Sequence, residues 1–259
     1  STLHSKANGR CSEAVPELVG ESNFWYLWEP TLGSCPLKKN VDYLKVNSAL
    51  RFLPSTTLTY PEYNRLVKNG NILITIVHGL TDYNLSQKPP QKSDDFTAGM
   101  YIKQRKTLIN QGFSSRVWSD SEIRQFYNPS SARLPYVEDF TLKAKLGTVT
   151  VRMFFGNTNL EYDSAGYHAF LKKTFTDSGV FIYNGHSGLG RNMNLASIEA
   201  LRGYKYVLSQ DYQIYFFGSC IPYSYYPDLF FRMKANANDP QGTKNLDIFT
   251  FGDEAFVDN

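Results

Sequence analysis

Val180-Phe181-Ile182-Tyr183-Asn184-Gly185-His186-Ser187-Gly188-Leu189-Gly190 is an apolar, aromatic run that ends in glycines around one histidine. A second stretch, Tyr212-Gln213-Ile214-Tyr215-Phe216-Phe217-Gly218-Ser219-Cys220, has the same form and ends in a cysteine. Each reads as a buried strand of a parallel sheet with a turn at its carboxyl end. A helix around Ala165–Phe175 precedes the first, one around Ala196–Arg202 separates the two, and one around Tyr223–Lys234 leads to a last strand, Leu246–Phe251. This alternation predicts an α/β fold, a mostly parallel sheet covered by helices on both faces.

The pattern extends upstream. Ile72–Val77 is an apolar strand ending in His78-Gly79, followed by a polar loop and a helix from about Thr97 to Asn110. Ser115–Ser119 reads as a short strand. Phe140–Ala144 and Val149–Phe155 alternate on either side of Leu146-Gly147, which predicts a hairpin whose second run continues into the main sheet. Residues 1–65 are irregular, with prolines at 16, 30, 36, 54 and 61, so the chain is expected to divide into a segment 1–65 and an α/β domain 66–259.

Of 259 residues, 42% are hydrophobic and 20% charged, which is a globular balance with room for one large α/β domain. The net charge of +3 is small and its lysines and arginines are dispersed, which argues against nucleic acid as a partner. No run is long and apolar enough for a membrane span. Cys11 and Cys35 flank an aromatic segment in the irregular region, while Cys220 is far away. One partition is a Cys11–Cys35 disulfide with Cys220 free, which suits a secreted, periplasmic or cell-surface protein; the other is three reduced, buried thiols.

His186 and Cys220 are separated by one strand–helix–strand crossover, which sets successive parallel strands side by side with their carboxyl ends at one edge. Ligands of open α/β sheets bind at that edge. An imidazole there is placed to take a thiol proton, and the thiolate is the nucleophile. The glycines at 185, 188 and 190 let backbone N–H groups approach a substrate carbonyl. The blander reading makes Cys220 a small buried hydrophobe and His186 a loop histidine bonded to backbone.

An apolar strand ending in histidine and glycine, then a second ending in a small residue and cysteine, resembles the caspase-like cysteine peptidases over residues 70–255. The short spacing is most similar to the gingipain and clostripain types. The resemblance implies a three-layer α/β sandwich and a thiol endopeptidase acting on protein or peptide substrates, with no cofactor. It implies Cys220 as nucleophile, His186 as base, and Ser187 and Gly188 around the oxyanion; the family has glycine where Ser187 stands. Asp253 and Glu254, past the last strand, would favour a basic residue before the scissile bond, or serve only as solvated turn residues. The alternative is an inactive, secreted caspase-like domain used for binding.

Gly185-His186-Ser187-Gly188-Leu189 also invites comparison with a serine nucleophile elbow, but no histidine follows His186, as that fold requires. The histidines at 4, 78, 168 and 186 form no metal-ligand spacing, so no metal is expected. His78 ends an apolar strand directly before Gly79 and is a candidate substrate-contacting or structural residue, and the second candidate for the base.

Overall fold

A computed structural model describes residues 11, 33–47, 49, 61–80, 95–126, 134–158, 165–188 and 190–251. The chain divides into two compact units, Ser1–Tyr60 and Pro61–Asn259. In the first, Cys11 and Cys35 stand at disulfide distance, with Cα atoms 5.0 Å apart. Cys220, in the second, is in no disulfide.

The second unit is an α/β domain built on one sheet of seven strands: β1 (Asn71–Gly79), β2 (Ser114–Val117), β3 (Tyr136–Ala144), β4 (Gly147–Gly156), β5 (Val180–Asn184), β6 (Gln213–Gly218) and β7 (Leu246–Phe249). Their order across the sheet is β2-β3-β4-β1-β5-β6-β7. The β4, β1, β5, β6 and β7 strands run parallel, and β3 and β2 are antiparallel additions at one edge. The hairpin predicted around Leu146-Gly147 joins β3 to β4. Gly147 turns it with φ +130°, and a side chain there would run into the Gly70 carbonyl.

Helix α1 (Phe96–Asn110) begins at Asp95, whose carboxylate accepts from the Ala98 N–H at 3.0 Å. It covers one face through Ala98 and Tyr101, packed on Ile76, Phe140, Val151, Met153 and Phe155. The opposite face carries the larger core, where α3 (Ala165–Asp177) and α4 (Leu195–Arg202) supply Phe170, Leu171, Phe175 and Ile198 against Phe154, Phe181, Tyr183, Tyr215 and Phe217. Most of its aromatic rings meet edge-on or tilted, with centroids 4.8–6.3 Å apart around Phe217.

Two elements differ from the sequence reading. A one-turn helix, α2 (Asp120–Ile123), follows β2 and is closed by a capping box between Ser119 and Glu122. The expected helix 223–234 is two helices, α5 (Pro222–Tyr225) and α6 (Pro227–Lys234), broken at Tyr226. Pro227 has no N–H to continue the first turn, and Tyr226 stands between the two helices with φ −109° and ψ −41°.

Candidate functional site

Paired strands carry the two candidate residues to the same edge of the sheet. In the β5–β6 ladder, Asn184 lies opposite Gly218. His186 and Cys220 therefore each stand two residues beyond the last paired position of adjacent parallel strands, whose spacing is about 4.8 Å. The Gly185 N–H extends the ladder to the Gly218 carbonyl at 3.4 Å. His186 is exposed and Cys220 half-buried.

A row of small residues underlies this edge. Gly156 of β4 pairs with Gly79 of β1, and Gly185 continues the row, its Cα direction pointing at the Gly79 backbone. A methyl at Gly185 would sit 3.2 Å from Gly79 Cα and 3.1 Å from the Tyr183 hydroxyl. The central strands end without side chains at this level, so the loops beyond them approach each other closely.

The loop after β5 is held from below. The His186 carbonyl accepts the Tyr183 hydroxyl at 2.6 Å and Asn192 Nδ2 at 2.7 Å. The Ser187 carbonyl accepts the Asn192 N–H at 3.1 Å and the Tyr226 hydroxyl at 3.3 Å. Tyr183 and Tyr226 are fully buried, and Thr158, just past β4, lies 3.2 Å from the Tyr183 hydroxyl. Burial holds the Tyr226 hydroxyl far above the ordinary tyrosine range, so it stays protonated and can donate.

These bonds fix which way the loop's N–H groups face. In a trans peptide the carbonyl of one residue and the N–H of the next point in opposite directions, and no peptide among the described residues is cis. With the carbonyls of His186 and Ser187 drawn towards buried donors, the N–H groups of Ser187 and Gly188 face away from them. Neither has an acceptor among the described residues. Gly188 has φ +56°, and a methyl on it would lie 2.6 Å from Asn192 Oδ1, so this turn requires glycine.

On the Cys220 side, Tyr225 of α5 packs its ring on Gly190, where a methyl would meet it at 2.8 Å. Tyr225 thus joins the segment after β6 to the loop after β5. Burial, and then the nearby Cys220, raise the Tyr225 hydroxyl above its usual range. That hydroxyl, with Ser224 Oγ and Thr250 Oγ1, is buried and has no hydrogen-bond partner among the described residues.

His78 occupies a different environment. It pairs across β1 with Asn184 but is fully buried beneath α1, with Nε2 2.8 Å from Gln104 Oε1 and its ring edge-on to Tyr101. Nδ1 has no partner among the described residues, and burial lowers the imidazole to about 4. The native state therefore binds its proton later than the unfolded chain does as pH falls. Stability is expected to drop by roughly 3 kcal/mol through this group between pH 6.5 and 4, with no further loss from it below 4. Urea titrations across that interval measure the drop, and His78→Leu should flatten this part of the profile relative to the native chain.

Asp253 and Glu254 lie outside the described residues. Among the described residues no group of three His, Cys, Asp or Glu side chains is gathered to hold a metal, and no helix is long and apolar enough to cross a membrane. The supports of the His186 loop, namely Thr158, Tyr183, Asn192 and Tyr226, carried no signal in the sequence beyond their burial. No family model matches the chain, and no curated protein matches it.

Proposed function

We propose that this protein is a cysteine-dependent endopeptidase of the caspase-like kind, with Cys220 as nucleophile and His186 as its base. The observation that carries the reading is the equal register of the two residues, each two positions past the paired Asn184 and Gly218 on neighbouring strand ends. His186 takes the thiol proton, and the Cys220 sulfur attacks the carbonyl carbon of the scissile peptide. The resulting oxyanion is received by the N–H groups of Ser187 and Gly188. A backbone N–H is the same donor in serine as in glycine, so Ser187 is compatible with this role. The intermediate collapses to a thioester as the amine leaves with the proton from His186. Water activated by His186 then cleaves the thioester, releasing the acid and restoring the thiol.

A basic residue before the scissile bond, received by Asp253 and Glu254, is the specificity this reading carries, and a substrate library without a Lys or Arg preference removes that part. The Cys11–Cys35 pair at disulfide distance suits action outside the cytosol.

Iodoacetamide alkylation tests the pair directly. At pH 6, Cys220 is expected to react at least about tenfold faster than N-acetylcysteine, and His186→Ala is expected to remove the excess. A rate no faster than that of the free thiol, or reaction only after unfolding, would overturn the enzyme reading in favour of a binding domain.

A further inference from the structure

We propose that Asn192 and Tyr183 are positioning residues that build the oxyanion site of this peptidase by holding the His186 carbonyl. The inference rests on the peptidase reading and adds to it residues that touch neither substrate nor the reacting sulfur. Asn192 is buried and contacts the loop at three points: Nδ2 on the His186 carbonyl at 2.7 Å, its N–H on the Ser187 carbonyl at 3.1 Å, and Oδ1 against Gly188. Tyr183 adds a second donor to the His186 carbonyl at 2.6 Å. Its own hydroxyl is steadied by Thr158 at 3.2 Å.

A peptide unit can rotate about the bonds on either side of it. Pulling its oxygen inward by two donors removes that freedom and turns the N–H of Ser187 outward. The Ser187 carbonyl, held by Asn192 and Tyr226, does the same for the N–H of Gly188. Preorganised donors of this kind act without reorganisation as the charge develops. Loss of the holding bonds leaves the N–H groups present but unaligned, so the transition state suffers more than the ground state. That difference appears in kcat and leaves KM nearly unchanged.

Asn192→Asp, Asn192→Ala and Tyr183→Phe in the full chain test the assignment. Two probes are used, a pooled fluorogenic peptide library and iodoacetamide. Alkylation forms no oxyanion, so its rate at Cys220 is expected to stay within about twofold of the native chain in all three variants. Peptide turnover near pH 7.5 is expected to fall about 100-fold in Asn192→Asp, where a carboxylate faces the His186 carbonyl. Relative to the native chain at the same pH, that variant should regain activity as the pH is lowered, because a protonated carboxyl donates to the carbonyl again. Asn192→Ala has no such recovery.

Turnover within threefold of native in Asn192→Asp and Asn192→Ala overturns the inference. So does a parallel loss of turnover and alkylation, which marks damage to the Cys220–His186 pair or to the fold. Failure of the peptidase reading itself has a separate signature in the native chain, namely no Cys220-dependent peptide cleavage and no fast alkylation, and it removes the inference with it.

Discussion

Cys220→Ala is expected to reduce peptide hydrolysis by about 10⁴-fold or more while leaving the thermal transition of the domain nearly unchanged. The size follows from what the sulfur does. On the proposed mechanism no thioester forms without it, and what remains is catalysis by aligned N–H groups and substrate binding alone. The fold has little at stake, because Cys220 is half-buried at a strand end and lies outside the paired residues of β6.

The same logic sets the outcome for His186. If His186 and Cys220 act as a unit, His186→Ala loses nearly as much as Cys220→Ala, and the double variant loses no more than either. Residues that share one step are grossly non-additive, whereas independent contributions would multiply. Initial rates on the pooled peptide library, with circular dichroism to count folded protein, decide it. Hydrolysis that survives in Cys220→Ala would remove the thiol from the mechanism. Multiplicative losses in the double variant would separate the histidine from the cysteine.

The reach of the sequence is uneven for physical reasons. Strand-ending stretches such as Val180–Gly190 are legible because burial on both faces of a sheet demands continuous apolar residues, and a chain leaving such a strand needs small ones. The register of His186 with Cys220 follows from the crossover between them. Helix α2 was also within reach, since Ser119 and Glu122 have the spacing of a capping box. Pro227 likewise marks the break between α5 and α6. The supports of the loop were not. Tyr183 reads as one more ring in a core strand, Asn192 as a turn residue and Tyr226 as part of a helix. What they hold depends on which carbonyl each hydroxyl or amide reaches, and that is decided by packing between distant parts of the chain.

A second large effect is expected far from the strand ends. Glu138 of β3 is fully buried, yet its carboxylate accepts the Tyr101 hydroxyl at 2.7 Å and Arg105 Nε at 3.0 Å. Arg105 is about half exposed (45%), so the guanidinium remains in contact with water while the carboxylate does not. The two sides of the pair are therefore unequal. Arg105→Met strands a carboxylate under α1 with only neutral hydroxyl groups beside it, and is expected to cost about 3 kcal/mol. In a domain of this size that lowers the melting temperature by roughly 6–12 °C. Removing the network should cost far less, because Tyr101→Phe, Arg105→Met and Glu138→Leu together take away the buried carboxylate along with the hydroxyl and guanidinium bonded to it. Thermal melts of the single and triple variants test this. A triple variant no more stable than Arg105→Met would show that the stranded carboxylate adds no penalty of its own and that the loss is that of the network's contacts. Catalysis per folded molecule should be the same in both, since Glu138 and Arg105 belong to the α1 side of the sheet. The His186 loop hangs instead from Tyr183 and Tyr226 in the opposite core.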